Sequence, residues 1–445
     1  MRSFSMATLV ALVSIASAAC GGTVQESSGD TGGAGGSTTT TTTDTTTSTD
    51  TTTTSDTTTT TTVDIGQPSD VYPAPHQAPP KVVTFGGDVM SAPKIQPIFF
   101  SNDDPTYVAS VTDFVSKIGP TKYWAAVTAE YGVGPASSLS PVMLDEAATG
   151  TITDADVQAW LGGKLNADDP AFAAPDQQTI YTIIYPTGLT INEQGALSCQ
   201  SFGGYHSNFP LDAAHGNQQV AYAVIPRCPD FGNIHDLDAV TGALSHELIE
   251  AATDPFPMTD PAYAQTDNAH IFWVRALGGG ETGDMCAQDP ESFTKFDEMP
   301  YVVQRSWSNA AAKNGNDPCQ PTKPGDVYFQ ATPVMTDSIT YGGGGFSATV
   351  KGVKIPLGES RTVDLQLFSD GPTDGPITVH ADDFSELIGG TKHLDFSFDA
   401  TQGLNGQTLH MTINVLTAGK KNTELFYLVT EYKGQQNIWI GVVGQ

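Results

Sequence analysis

The sequence predicts two folded units of different class: an α+β domain over residues 81–322, then an all-β sandwich, Ig-like in strand number, over 326–445. Three observations predict this. Short apolar runs rich in β-branched residues alternate with helical periodicity as far as about residue 322. After Lys323-Pro324-Gly325-Asp326 that periodicity stops and two-residue alternation replaces it. Ahead of both units, residues 23–64 are nearly all Thr, Ser, Gly and Asp, a composition with nothing to bury.

The first element expected is a secretory signal over residues 1–19. Arg2 precedes an apolar run from Ala7 to Ile15 that is too short to span a bilayer. Ala16-Ser17-Ala18 suits an ordinary signal peptidase, giving a secreted protein cleaved before Ala19. Ser17-Ala18-Ala19-Cys20 suits lipoprotein processing, with Cys20 lipidated and the protein held at a bacterial outer membrane or cell surface. Residues 20–80 then form a Thr-rich disordered stalk, and the only contact with membrane is through the lipid.

In the α+β unit, "KVVTFGGDVMSAPKIQPIFF" reads as two strands around a Gly-Gly turn. "DPTYVASVTDFVSKIG", "TKYWAAVTAEYGVG" and "DADVQAWLGGKL" read as helices, the second ending near Gly132. "QTIYTIIYPTG" and "QVAYAVIPRC" read as buried strands. A further helix runs from about His235 or Asp236 to Asp254. Acidic residues suit its start, and Pro255 and Pro257 stop it. In the β unit, Val363/Leu365/Leu367, Leu394/Phe396/Phe398 and Leu409/Met411/Ile413/Val415 alternate. A closing hairpin turns near Lys433-Gly434.

The chain of 445 residues carries a net charge of −30 with only 19 Lys and Arg, which excludes nucleic acid and anionic lipid surfaces as partners. Of the five Cys, Cys20 falls at the cleavage site. Cys199, Cys228, Cys286 and Cys319 remain for two disulfides, and nearness in sequence favours Cys199 with Cys228 and Cys286 with Cys319. No Cys-x-x-Cys occurs to suggest a thiolate zinc site.

The stretch that carries chemistry is "LSHELIEAATDP". It begins as the zinc-hydrolase motif His-Glu-x-x-His, with Glu250 at the fifth position. His246, Glu250 and Asp254 are spaced by four and share a helix face. His246 and Glu250 are the expected metal ligands, and Glu247 the general base on a metal-bound water. Glu281 or Asp284, in "GGGETGDMC", would complete the ligand set. His206, after Gly203-Gly204, would stabilise an oxyanion. On the blander reading Glu281 and Asp284 are turn residues and His206 is a hydrogen-bonded core histidine. His215, His235 and His270 have no comparable setting and are expected to be structural or exposed.

"CQSFGGYHSNF", "VAYAVIPRC", "LSHELIEAATDP", "ETGDMC" and "VQRSWSNAAAKNGNDPC" occur in an order that resembles the Exordium-like, phosphate-induced protein family and its bacterial secreted relatives. The resemblance spans roughly residues 81–320 and is most specific over 199–290. By position it falls on Cys199, His206, Cys228, His246, Glu247, Glu250, Asp254, Glu281, Asp284 and Cys286. Where the family has Asn-Ala-Trp after the Asp-Pro, this chain has Phe256-Pro257-Met258. The resemblance implies an extracellular, wall- or surface-associated protein with a zincin-like helix. The function expected is a monomeric zinc-dependent hydrolase, peptidase-like, acting on a peptide or a cell-surface or wall polymer. The rival is a non-catalytic surface-binding protein whose acidic site holds calcium. Glu247 beside His246 favours the enzyme, because a binding site has no need of a base there.

Overall fold

The computed structural model describes residues 64–231, 234–343, 346–419 and 422–445. The expected signal, Cys20 and the stalk up to residue 63 lie outside them. The molecule is β-rich and multi-domain.

The first domain is built on a mixed sheet. Its strands are β1 (Lys94–Phe99), β2 (Thr179–Tyr185), β3 (Tyr205–Pro210) and β4 (Gln219–Pro226). The order is β1-β2-β4-β3, with two short strands, Ser137–Ser138 and Val142–Met143, on the outer side of β1. β1, β2 and β4 are parallel, whereas β3 pairs antiparallel with β4 and sets His206 opposite Ala223. Every residue of β2 is buried, as a parallel strand covered on both faces requires.

Helices cover both faces. α1 (Pro105–Ile118) starts at an Asp104 cap with Pro at its first position, and α2 (Lys122–Thr128) starts at Thr121. Both pack with Ile95, Phe99, Ile180 and Ile184. α3 (Asp154–Asn166) opens on a Thr153/Asp156 capping box and covers the other face through Val157, Leu161 and Leu165. α4 (Asp236–Thr253) shares the first face and is buried all round from Ala239 to Thr253. The sheet lies on one side of it. The hairpin β5 (Phe293–Phe296) and β6 (Met299–Gln304) lies on the other. Two short helices, α5 (Phe272–Leu277) and α6 (Asp284–Ala287), flank the glycine-rich segment between them.

The two disulfides are the expected pairs. Cys199–Cys228 ties the approach to β3 to the exit of β4, and Cys286–Cys319 ties α6 to the end of the domain. They fit an oxidising, extracytoplasmic compartment. Among the described residues, no helix is long and apolar enough to cross a membrane.

The second domain packs two sheets. One orders β7 (Phe329–Pro333), β10 (Ser360–Ser369), β14 (Thr408–Val415) and β12 (Leu394–Phe398) as 7-10-14-12. The other orders β8 (Asp337–Gly343), β9 (Phe346–Lys354), β16 (Gln435–Gly444), β15 (Thr423–Tyr432), β11 (Ile377–Asp383) and β13 (Gln402–Gly403) as 8-9-16-15-11-13. β14 alternates buried and half-buried residues without a break, with Leu409, Met411, Ile413 and Val415 inside. The β15–β16 turn falls at Lys433-Gly434, both at positive φ.

Two expectations are corrected. Val82–Val83 is a strand, but it pairs with Gln265–Thr266 rather than with β1. Gly87 donates its N–H to the Pro261 carbonyl at 3.0 Å, so the Gly-Gly segment docks on the α4 exit instead of closing a hairpin. The disordered stalk does not reach residue 80. From Ile65 the chain lies on the sandwich, where Thr408 N donates to Ile65 O at 3.0 Å and Ser69 N to Asn405 O at 2.8 Å. Gln77 donates to Gln366 Oε1 at 3.0 Å, and Val82 N reaches Asn309 Oδ1 in the first domain at 2.9 Å. This strap is held through backbone and amide groups, a signal that apolar patterning does not register.

Candidate metal centre

α4 delivers three acid–base side chains to one place. His246 and Glu250, one turn apart, stand 3.1 Å from each other through Nε2 and Oε2. Asp284, at the start of α6, places Oδ1 3.7 Å from the same His246 Nε2. These three form one compact donor set, and His206, Glu247 and Glu250 form a second that shares Glu250. β3 aims His206 across at α4. Its Nδ1 lies 3.5 Å from Glu247 Oε2 and 3.8 Å from Glu250 Oε2, and its Nε2 lies 3.7 Å from Glu281 Oε2. Asp254 closes the end of α4, where Oδ1 accepts from Ala262 N at 2.7 Å. The structure therefore gathers His206, His246, Glu247, Glu250, Asp254, Glu281 and Asp284 into one cluster, each at most 5 % exposed.

Surrounding groups fix the orientation of the ligands. His246 Nδ1 meets Gln304 Oε1 at 2.8 Å, which leaves Nε2 facing Glu250 and Asp284. Gln304 is itself held, donating through Nε2 to Gly283 O at 2.6 Å and through its backbone N–H to Ser245 Oγ at 2.9 Å. Such an amide fixes an imidazole's tautomer and heading. Glu250 Oε1 accepts from the backbone N–H groups of Gly283 and Asp284 at 3.0 and 3.1 Å, so its Oε2 alone faces the histidines. Glycines make this approach possible. A Cβ on Gly283 would stand 2.7 Å from His246 Nδ1, and one on Gly204 would stand 2.8 Å from Glu247 Cγ. Gln304 was not among the expected residues. Its one sequence signal is a polar residue ending the apolar run Tyr301-Val302-Val303.

The electrostatics are unbalanced. Among the described residues, the five carboxyl groups of the cluster form ion pairs only with its two imidazoles, and none with Lys or Arg. Both ring nitrogens of His206, and Oε2 of Glu247, Oδ2 of Asp254 and Oε2 of Glu281, are buried without a hydrogen-bond partner. Burial and neighbouring carboxylates push Asp284 up to about 7 and Asp254 up to about 6, and Glu281 well above the usual range. Glu247 is also raised, chiefly by burial. Glu250 is lowered: burial opposes its ionisation, but His246 outweighs it. Burial disfavours a charged His206, yet Glu247 and Glu250 raise its pKa overall. Ionising these buried carboxyls together would cost several kcal/mol per group, which is why the cluster retains protons. A divalent cation among these oxygens and nitrogens would remove that cost, and the donor set suits one.

The three histidines expected to be structural or exposed lie elsewhere. His215 pairs with Asp212 at 2.8 Å, His235 with Asp230 at 2.6 Å and His270 with Asp267 at 3.0 Å.

No family model matches the chain, and no curated protein matches it. Among solved structures, domains 1–6 of the surface layer protein SbsC share 13% identity over 25% of this chain, with a TM-score of 0.16. This chain spans 13% of that protein's length. A chimeric titin Z1Z2 shares 16% identity over 26% of this chain and 95% of its own, with a TM-score of 0.15. A twitchin kinase fragment from C. elegans, with kinase and immunoglobulin domains, shares 14% identity over 26% of this chain and 20% of its own, with a TM-score of 0.14. At these scores the likenesses carry no argument about function.

Proposed function

We propose that this chain is an exported metal-dependent hydrolase, zincin-like in its first domain and peptidase-like in chemistry. We place that domain with the bacterial secreted relatives of the Exordium-like family on the order of its motifs. His246, Glu250 and Asp284 would hold the cation, with zinc favoured by the imidazole and calcium the alternative. The observation that carries the reading is Glu247. It sits next to His246, its Oε2 is buried with His206 Nδ1 3.5 Å away as its nearest charged neighbour, and burial raises its pKa above the usual carboxylate range. A bound cation would supply an acidified water and polarise a carbonyl. Glu247 would serve as the base that accepts a proton from that water. His206, biased toward its charged form, faces the same space and offers N–H to a developing oxyanion. The candidate ligands are nearly closed off from solvent, so turnover would require part of the surrounding wall to open. Export with a lipid at Cys20 and a peptide or wall-polymer substrate complete the proposal.

The full-length exported chain should carry about one zinc by elemental mass spectrometry, and His246→Ala should lose it. Glu247→Gln should keep the metal and lose hydrolysis of a peptide library by at least about 100-fold. A Glu247→Gln variant as active as the parent sinks the mechanism. The closure of the site and its five carboxylates favour a second reading, a structural calcium site in a surface-binding protein. Calcium in place of zinc, with no turnover, would select it.

A further inference from the structure

A second site lies where the strap, the first domain and the sandwich meet. It is a cavity of about 80 Å³, room for roughly half a dozen water positions at about 10–15 Å³ each. Trp273 and Trp307 enter it from the first domain and Trp439 from β16. Each tryptophan is at most 5 % exposed, and the indole N–H of each is buried with no hydrogen-bond partner. Three orphaned donors around one cavity are unusual, because buried indole N–H groups ordinarily find an acceptor.

Other walls add flat apolar surface. His76 of the strap stacks on Phe368 with ring centroids 3.8 Å apart, and Tyr328 packs edge-on against Phe368 at 5.9 Å. The acidic lining residues Asp289 and Asp317 are both bonded to Arg305, which leaves the cavity lining without an unpaired Asp, Glu, Lys or Arg among the described residues. The side-chain amides of Gln288 and Asn316 line it too and make no hydrogen bond among the described residues. Pro290, Asn316 and Gln436 among the lining residues are exposed.

We propose that this cavity binds a neutral sugar residue, a single pyranose unit or the end of an oligosaccharide. The ligand that fits must be uncharged, must present a flat C–H face to aromatic rings, and must carry several oxygen acceptors for the three indole N–H groups. It must also exchange hydrogen bonds of both senses with amides. A pyranose ring has all four properties. A quaternary ammonium would suit the aromatic faces, but it has no acceptor for the indole donors.

Three of the chain's five tryptophans line the site, so intrinsic fluorescence reports on it directly. The full chain should be titrated with cello-, chito- and manno-oligosaccharides, with and without EDTA, and binding checked by saturation-transfer NMR. At least one sugar series should give a saturable change at micromolar to millimolar concentration, unaffected by EDTA. Trp307→Phe and Trp439→Phe keep an aromatic face but remove the N–H together with the five-membered ring. Each should weaken binding about 3- to 10-fold, with a melting temperature lowered by the lost volume but a folded protein at the assay temperature. Gln288→Ala, at a half-buried position, should weaken it as well and guards against misfolding of the tryptophan variants. No saturable response to any series overturns the proposal. So does choline binding in place of sugar, or unchanged affinity in all three variants.

Discussion

At the scale of single residues, the candidate centre depends on atoms that have no room to move. Gly283→Ala would drive a methyl group against His246 Nδ1 and Glu250 Oε1, at 2.7 and 2.9 Å. The change should abolish cation binding and cost about 1–3 kcal/mol, as overpacking does. A chelator-sensitive melting shift present in the parent and lost in the variant checks this. Gln304→Leu should lower cation affinity about 10- to 100-fold through loss of the amide that orients His246. Isothermal titration of the metal-stripped protein reads it. The titrations set a pH dependence. In the metal-free protein Asp284 and Asp254 titrate near 7 and 6, against 3.8 for free carboxyls. Raised folded-state values stabilise the fold at low pH, and that contribution is lost as pH rises through 6 and 7. His206, also raised, acts in the same direction. The melting temperature of the metal-free protein should therefore fall between pH 4 and 8. Saturating cation should flatten or reverse the trend, because it binds the deprotonated carboxylates.

At the scale of elements, the Cys286–Cys319 disulfide holds α6, and so Asp284, against the end of the domain. Replacing both cysteines by Ala should cost about 3–4 kcal/mol on the chain-entropy estimate and weaken the cation more than replacing Cys199 and Cys228. Paired denaturant melts with and without metal separate the two effects. Legibility in the sequence follows the same division into elements. α4 was readable because its start is acidic, its stop is Pro255, and its polar residues recur every four. β2 and β4 announce themselves as β-branched runs, and the β15–β16 hairpin as two apolar stretches around Lys433-Gly434. β3 did not, because Gly203-Gly204 and Pro210 bracket a strand whose existence depends on antiparallel pairing with β4. His206 was consequently legible as a candidate but not as a residue aimed by a strand. Gln304 was invisible for a related reason. Its partner His246 is 58 residues away, and nothing local marks the contact.

At the scale of the whole molecule, the two domains share one apolar core. Trp273, Leu277, Met285 and Trp307 of the first belong to the same cluster as Val353, Leu365, Phe426 and Trp439 of the second. Tyr427 donates across the junction to Ala276 O at 3.1 Å. An interface of this character should make the halves unfold together. Scanning calorimetry should show a single transition, and a chain ending at residue 322 should aggregate, because it exposes Trp273 and Trp307. The strap has a further consequence, which concerns force. Its amide contacts run along the sandwich before the chain reaches Val82, so tension applied at residue 64 would meet several hydrogen bonds to the sandwich before it reached the first domain. Drag on the protein from its N-terminal side would thus meet the anchors on the sandwich, Asn405 and Thr332, before it reached Val82–Val83 and its partner strand Gln265–Thr266.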